Sequence, residues 1–259
     1  MTIGIMAAMP DEIAGLISLI ATQNQSQIHH IGNRDFHDGV INGQRCVVVL
    51  SGIGKVAAAS TATTLIQHFG VDEIVFTGLA GGLAAQARVG DVVIADRLVQ
   101  HDMDARPLFP QFEIPLTGIA EFESTAAQRG LLERATRDFF ANTFHTAVPP
   151  DVAHKFGLQT PAIHIGMIAS GDQFIGSVNK SDHLRQILPA VVAVEMEGAA
   201  VAQVCSDYKL PYSIIRTISD RADATAHHDF GQFLVHVASK YSAAILLNYL
   251  RHHPGVGGF

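Results

Sequence analysis

The sequence is short of cysteine and of long hydrophobic runs, and each shortage excludes a class of protein. Only two cysteines occur, Cys46 and Cys205, far apart and outside any Cys-x-x-Cys pattern. The chain therefore encodes neither a disulfide framework nor a thiolate zinc site, and a cytoplasmic location is expected. No uncharged apolar run of about 18 residues is present, so no membrane-spanning helix is predicted. The apolar start, Met1 to Ala8, lacks basic residues and is soon followed by acids, which argues against a signal peptide.

Charge is also scarce, and positive charge is the scarcer sign. Charged residues are 16% of the 259 residues, whereas hydrophobic residues are 48%, which excludes a disordered chain. The 17 basic residues are outnumbered by 24 acidic ones, for a net charge of −7. Without a basic field, neither nucleic acid nor an anionic membrane surface is an expected partner. At about 150 residues per domain, the length favours one large domain over two small ones.

Strand-like apolar runs alternate with helical segments along most of the chain. The predicted strands are Thr2–Ala7, Arg45–Leu50, Glu73–Thr77, Asp91–Ala95, Ala162–Ala169, Ala190–Val194 and Tyr212–Thr217. Helices are predicted after Pro10 and at about Lys55–His68, Ser124–Phe140, Met196–Tyr208 and Phe230–Leu250. Parallel strands need helical crossovers, and these cover both faces of a sheet. The pattern predicts a single α/β domain with a central mixed, largely parallel twisted sheet flanked by helices.

Three regions of the chain are less regular than the rest. Residues 105–160 are rich in proline around one amphipathic helix and are predicted to be an elaborated segment of the same domain. The Gly-rich tail, 251–259, is expected to fray. The glycine clusters at Ser51–Gly54 and Gly78–Gly82 match no phosphate-binding motif, so both are predicted to be tight turns between a strand and a helix.

The acids at strand ends are the candidates for chemistry, because ligands of open α/β sheets collect at the carboxyl ends of the strands. Glu12 follows the first strand, and Asp220 follows the last. Glu195 and Glu197 lie in the apolar stretch VVAVEMEGAAVA, where a carboxylate loses solvation unless it meets a donor or a ligand hydroxyl. The alternative is that these two acids compensate the dipole at a helix N-terminus.

Histidine is abundant, with 14 residues, but its spacing matches no known metal motif. The runs His101–Asp104 and His227–Asp229 combine imidazole with carboxylate, which are common metal ligands. Surface or loop histidines are the preferred interpretation, and neither a metal nor another cofactor is expected. No Gly-x-Ser-x-Gly elbow occurs, so a serine nucleophile is not indicated.

Several segments, taken together, carry a far more specific signal than any of them alone. They are IGIMAAMPDEI (3–13), SGIGKVAAA (51–59), TGLAGGL (77–83), VGDVV (89–93), SGDQFI (170–175), VEMEGAAVA (194–202) and RTISDRAD (216–223). In this order they resemble the 5′-methylthioadenosine/S-adenosylhomocysteine nucleosidases of the purine nucleoside phosphorylase superfamily. The resemblance covers roughly 1–105 and 161–250, and leaves the proline-rich middle outside. It implies hydrolysis of an N-glycosidic bond, which releases adenine from a 5′-thio-substituted ribose.

The resemblance also implies a role for each matching residue. Glu12 would be the general base for the attacking water, and Asp220 would protonate or hydrogen-bond N7 of adenine. Glu197 would accept hydrogen bonds from the ribose hydroxyls. The whole implied substrate-binding set is Met9, Leu79, Phe109, Phe174, Ile175, Glu195, Met196, Glu197, Arg216 and Ser219.

Within that set, the implied tasks divide between orientation, base binding and sugar binding. Ser219 and Arg216 would orient the acids and the water. Phe174 would stack on adenine and the backbone of Ile175 would read the base edge, although core packing is the alternative for an isolated phenylalanine. Met196 would pack under the sugar, and Met9 would line the sugar and alkylthio side.

The family's subunit arrangement implies a homodimer in which a neighbouring subunit completes the 5′ pocket. Leu108, Phe109 and Phe112 are the candidates here. Two departures from the family pattern affect substrate choice: Leu79 stands where many members have serine, and the 105–160 segment looks long. Methylthioadenosine, S-adenosylhomocysteine and an aminodeoxyfutalosine all remain candidate substrates.

Two other functions compete with hydrolysis. A phosphorylase of the same fold would need positive charge for phosphate, whereas the loop after the first strand offers the acid Glu12. A non-catalytic nucleoside-binding protein would be expected to lack part of the base, acid and ribose-ligand set, whereas Glu12, Asp220 and Glu197 are all present. Both alternatives predict a small nucleoside as the bound partner.

Overall fold

The structure is a computed structural model that describes residues 1–22, 26–158, 160–224 and 226–254, with the side chains of 227–229 and 239 left out. The strands are β1 (Thr2–Ala7), β2 (Gln27–Ile31), β3 (Arg34–Ile41), β4 (Gln44–Leu50), β5 (Glu73–Phe76), β6 (Leu79–Gly82), β7 (Val92–Gln100), β8 (Glu121–Glu123), β9 (Ile163–Ser170), β10 (Val191–Glu195) and β11 (Tyr212–Asp220). The helices are α1 (Pro10–Ala21), α2 (Lys55–Phe69), α3 (Ala126–Asp138), α4 (Phe144–Ala147), α5 (Pro150–Lys155), α6 (Val178–Ile187), α7 (Gly198–Asp207), α8 (Ala226–Phe233) and α9 (Ser239–His252), with π-helical turns at Phe139–Thr143 and Leu234–Ala238.

One mixed sheet organises the described residues, in the order β2-β3-β4-β1-β5-β11-β6-β10-β9-β7-β8. Its centre is parallel: β4, β1, β5 and β11 run in one direction. Strand β7 also pairs with β11, so β11, β6, β10, β9 and β7 form a closed ring. The predicted α/β fold, with a mixed sheet flanked by helices, is confirmed.

Helices cover both faces of the central strands, as their apolar composition requires. Along β1 the side chains alternate: Ile3 and Ile5 belong to one core with α1, α3 and α9, and Met6 belongs to the other with α2 and α7. Every residue of β1 is buried. Because successive residues of a strand point to opposite faces, a continuous apolar run fits a strand covered on both sides.

The sequence-based predictions fail where a segment depends on its partners. Gly78–Gly82 was predicted to be a turn, but residues 79–82 form β6, which pairs in parallel with β11 and antiparallel with β10. Four small or flexible residues carry little strand signal, so only the neighbouring strands define this one. The β2-β3 hairpin was not predicted, because half of its residues are polar.

The middle and the end of the chain are more ordered than predicted. Residues 105–160 contain strand β8 and helices α3, α4 and α5, so the prediction of a single helix there was wrong. The frayed tail was predicted to begin at residue 251, but α9 includes Arg251 and His252, and His253 is buried. Residues 255–259 lie outside the described part. No helix among the described residues is long and apolar enough to cross a membrane.

Candidate active site

A cavity of about 180 Å³ opens at the ends of β10 and β11, beside the first residues of β6 and the start of α1. Most of the predicted site residues line it, namely Met9, Glu12, Leu79, Phe174, Ile175, Glu195, Met196, Glu197 and Asp220. Arg216 and Ser219 are buried behind it, in contact with lining carboxylates. Segments separated by more than a hundred residues meet here, because the strands that carry them are neighbours in the sheet.

Glu12 is a buried carboxylate held by three backbone donors. Its Oε2 accepts from the N–H groups of Ala8 and Met9 at 2.9 and 2.8 Å, and its Oε1 accepts from Leu79 at 3.1 Å. Glu12 lies in the first turn of α1, where an acid reaches back to the N–H before the helix. Burial raises the pKa of Glu12 above its ordinary 4.5, against the opposing effects of Arg216 and these donors.

Glu195 and Arg216 form an ion pair that is removed from solvent, with side chains 2% and 1% exposed. Arg216 Nη2 and Nε lie 2.5 and 3.2 Å from Glu195 Oε2. The guanidinium also lies over the Phe76 ring, 4.2 Å from its centre. Glu195 further accepts from the Ser170 hydroxyl and from the backbone N–H of Gly198. This carboxylate is therefore saturated with donors and serves to fix its surroundings.

Of the four acids that line the cavity, Glu197 has the carboxylate that accepts the fewest hydrogen bonds within the described part of the chain. Its Oε1 accepts from the Gly54 N–H at 2.8 Å, and its own N–H donates to Glu195 at 3.1 Å. Burial and the nearby Glu195 charge raise the pKa of Glu197, and they outweigh the opposing effect of Arg216. A ligand that donates hydrogen bonds would relieve this desolvation of the carboxylate.

Asp220 ends β11 and faces the same cavity. Its Oδ2 accepts from the Ser219 hydroxyl at 2.8 Å, and its Oδ1 accepts from the Ala222 N–H at 2.8 Å. Gly81 lies opposite Asp220 in the sheet, and a Cβ there would come within 3.0 Å of Asp220 Oδ1. Because Gly81 has no Cβ, it leaves room for the Asp220 carboxylate.

Apolar side chains form the remaining wall. Phe174 is 46% exposed, which rules out the alternative that it is a core residue. Its ring meets Phe230 edge-on, with centroids 6.2 Å apart. Met9, Met196 and the buried Ile175 lie along the same cavity. A half-exposed aromatic ring beside carboxylates suits a ligand that combines a flat base with hydroxyl groups.

Comparison with known proteins defines the family. The family model for the phosphorylase superfamily matches residues 2–251. The chain belongs to the phosphorylase superfamily. A curated 5′-methylthioadenosine/S-adenosylhomocysteine nucleosidase of Mycobacterium bovis is 36% identical over 257 residues, an alignment covering 96% of each chain. These findings confirm the family resemblance, and the match also includes the middle segment, which the motifs had left outside.

Solved structures of this superfamily share the fold over nearly the whole chain. The nucleosidase from Neisseria meningitidis, in complex with methylthio-immucillin-A, has a TM-score of 0.83 at 32% identity and covers 97% of this chain and 99% of its own. A futalosine hydrolase mutant of Helicobacter pylori has a TM-score of 0.82 at 32% identity, with the same coverage. The nucleosidase and the futalosine hydrolase are therefore similar to this chain in fold and in sequence to almost the same degree.

Some of the residues that were predicted to belong to the site do not line the cavity. Phe109 is half-buried and does not line the cavity, and Leu108 is 82% exposed. Phe112 packs against the core cluster around Leu184. In the described residues, no group of three or more histidine, cysteine or acidic residues could hold a metal ion. The side chains of the predicted His227–Asp229 run lie outside the described part.

The sequence motifs did not indicate several residues that contribute to the site. Ser170 holds Glu195 and also accepts from the Ala199 N–H, and Gly54 is the donor to Glu197. Both residues lie within motifs that match the family, so the sequence indicates their positions but not their hydrogen-bond partners. Phe230 and Gln173 also line the cavity. Nothing local distinguishes Phe230 from an ordinary core residue of a helix.

Proposed function

We propose that this chain hydrolyses the N-glycosidic bond of 5′-methylthioadenosine or S-adenosylhomocysteine, releasing adenine and a 5′-thio-substituted ribose. One observation carries the proposal: Glu12, Glu197 and Asp220 surround a single cavity, and each has different hydrogen-bond partners. Cleavage of this bond places positive charge on the sugar and negative charge on the base. An ionised carboxylate stabilises the positive charge on the sugar, and a protonated carboxyl that donates to the base neutralises the negative charge there.

Glu12 is assigned as the general base. Its backbone donors fix the direction of the carboxylate, and burial makes it more basic than an exposed glutamate. An ionised Glu12 would take a proton from a water as that water attacks the anomeric carbon. Arg216 lies close enough to favour this ionised form.

Asp220 is assigned to the leaving base. A carboxyl that donates to N7 of adenine lets the base depart without a full negative charge. Ser219 and the Ala222 N–H hold the two oxygens of Asp220 in place. Substitution of Ser219 by alanine should therefore weaken turnover less than substitution of Asp220 by asparagine.

Glu197 is assigned to the ribose hydroxyls. The Gly54 N–H holds Oε1, and we assign Oε2 to the sugar. Glu195 and Arg216 act behind it: Glu195 accepts the N–H of Glu197, and Arg216 neutralises Glu195. As the ribose becomes cationic, its hydroxyls become better donors and this contact strengthens.

Phe174 and Ile175 are assigned to adenine, and Met9 and Met196 to the sugar and the alkylthio group. The exposed ring of Phe174 supports stacking, and the edge-on Phe230 closes the side of the same wall. Leu79, beside Glu12, is apolar where many family members have serine. We therefore expect a drier surface around the attacking water in this chain.

Charge favours hydrolysis over phosphorolysis. The described residues that line the cavity include the acids Glu12, Glu195, Glu197 and Asp220, and none of the lining residues is lysine, arginine or histidine. The buried Arg216 is already paired with Glu195. A phosphate dianion would meet repulsion at this site, whereas water would not.

We further propose a homodimer in the cytoplasm. The position of Phe109 outside its own cavity supports its assignment to the 5′ pocket of a second copy. Both cysteines are free and buried, in keeping with a reducing compartment.

The test is to incubate purified protein with methylthioadenosine, S-adenosylhomocysteine, adenosine or an aminodeoxyfutalosine, each with and without phosphate. Chromatography then measures adenine and the sugar product. Free adenine with a free sugar, formed without phosphate, is the expected result. Strict dependence on phosphate with a sugar 1-phosphate product would contradict the proposal. The aminodeoxyfutalosine arm is included because a futalosine hydrolase is as similar in structure as a nucleosidase.

A further inference from the structure

A lysine outside the cavity joins loops from distant parts of the chain. Lys55 Nζ donates to Gln100 Oε1 at 2.9 Å and to Asp102 Oδ1 at 2.7 Å. The side chains of Lys55 and Asp102 are 16% and 18% exposed, so water screens their attraction only in part. Lys55 begins α2, whereas Gln100 ends β7.

A third loop closes this network into a ring. Asp102 Oδ2 accepts from the N–H of Asp172 at 2.9 Å, and Asp172 Oδ1 accepts from the N–H of Lys55 at 2.8 Å. Each residue is therefore bonded to the other two, and displacement of any one segment breaks at least two hydrogen bonds. We call Lys55, Asp102 and Asp172 the Lys55 clamp.

Two of the three segments joined by the Lys55 clamp, those of Lys55 and Asp172, carry groups of the cavity. Gly54, directly before Lys55, donates its N–H to Glu197 at 2.8 Å. Phe174 and Ile175 follow closely after Asp172 and line the cavity. The clamp residues themselves are not among the lining residues. The clamp can therefore influence a ligand only through these neighbours.

Gly54 shows how closely the two loops approach. Its φ is +96°, a conformation that side chains with a Cβ rarely adopt, and an added Cβ would lie 3.0 Å from Asp172 Oδ1. The turn before α2 therefore uses glycine to reach Asp172 and to aim its N–H at Glu197.

We propose that Lys55 is a positioning residue for nucleoside binding, which holds the Gly54 N–H against Glu197 and the Phe174 loop against the base. For the identity of the ligand, this inference rests on the proposed function. Ribose and base contacts exist in the bound substrate as well as in the transition state. Loss of the clamp should therefore raise KM more than it lowers kcat.

Asp102 is the member of the clamp whose pKa is shifted by its partners. Burial raises the pKa of Asp102, but hydrogen bonds from Lys55 and Asp172 outweigh burial and leave that pKa below its ordinary 3.8. Without the ammonium group, Asp102 would be a half-buried carboxylate that retains the Asp172 N–H as a donor.

The deciding variant is Lys55→Met, which keeps most of the aliphatic side chain and removes the charge. Because a hydrogen bond to a charged group is lost, we expect KM for methylthioadenosine to rise about 10- to 100-fold, with kcat changed less than about threefold. Lys55→Arg should recover part of the loss. The matched control is Lys209→Met, an exposed lysine before β11, for which KM should not change.

Binding is measured separately from turnover. In a Glu12→Gln background, calorimetry should show the same increase in Kd for methylthioadenosine when Lys55→Met is added. Amide hydrogen exchange of residues 171–176 should also be faster in Lys55→Met without any ligand. Unchanged exchange together with unchanged KM and Kd would overturn the clamp. A wild-type protein that binds but does not hydrolyse would instead overturn the proposed function and leave the clamp testable by Kd and exchange.

A second variant separates positioning from simple destabilisation. Lys55→Met with Asp102→Asn leaves no unpaired charge, so it is expected to fold even where the single variant is poorly stable. If the pair acts as a unit, the double variant should have about the KM of the worse single variant. A wild-type KM in the double variant would contradict the proposal.

Discussion

Glu12 is a carboxylate that folding takes out of water and then surrounds with three N–H groups. If it is the general base, Glu12→Gln should lower kcat about 10²- to 10⁴-fold, the usual contribution of such a group, while KM changes little. Single-turnover kinetics would measure the chemical step. The control is Asp11→Asn, the exposed acid beside it, which should retain wild-type kcat. A near-normal kcat for Glu12→Gln would contradict the assignment.

Activity should also depend on pH in a direction that the buried acids determine. Burial raises the pKa values of Glu12 and Glu197, and both are assigned to act as carboxylates. As pH falls through these raised values, both acids bind protons and kcat/KM should fall. The acidic midpoint of a kcat/KM profile should therefore lie above 4.5, the ordinary value for glutamate. A midpoint at or below that value would show that neither group limits the rate.

The turn before α2 allows a test of how the backbone at Gly54 affects stability and KM. Gly54→Ala should cost about 1 to 3 kcal/mol of stability from backbone strain, and KM should rise about tenfold as the donor to Glu197 is displaced. Gly70→Ala is the matched control, because Gly70 caps the same helix at φ 60° with nothing within 4 Å of an added Cβ. It should lower the melting temperature but leave KM unchanged. If both variants raised KM equally, the Gly54 N–H would have no specific role in ligand binding.

Strand β6 illustrates how an element can be defined by its neighbours. The segment Leu79–Gly82 reads as a turn in isolation, yet it lies between β10 and β11 and brings the Leu79 N–H to Glu12. By contrast, β1 and β4 are continuous apolar runs, and their prediction required no knowledge of partners. A strand can be predicted from its own composition when it is buried on both faces, because its residues are then apolar along nearly the whole run.

For the whole molecule, the proposed homodimer predicts complementation between two variants that are each impaired in a different half of the site. Phe109→Ala should weaken the 5′ pocket of the partner, and Glu12→Gln should inactivate its own site. Random mixing gives hybrid dimers with one intact site, so activity should return to about a quarter of the wild-type level. The assay is adenine release after unfolding and refolding the mixture. Activity no higher than the sum of the separate variants would contradict a shared pocket.

The amino-acid sequence alone was enough to predict the apolar strands of the core and most of the helices, though not the central strand β6, and to identify the acids in the cavity. Both follow from local facts: apolar periodicity records burial, and motif matches record residue type at a given position. Glu12, Glu197 and Asp220 were therefore found without coordinates, as was Phe174.

The contacts that each of these residues makes become known only from the folded structure. The pairing of Arg216 with Glu195, the Gly54 donor to Glu197 and the ring through Lys55 all join residues that are distant in sequence. The raised pKa values of Glu12 and Glu197 likewise come chiefly from desolvation by the surrounding elements, which the Arg216 charge of β11 opposes in both cases. A hydrogen bond or a Coulomb interaction depends on distance in space, and only the packing of the sheet and its helices sets that distance.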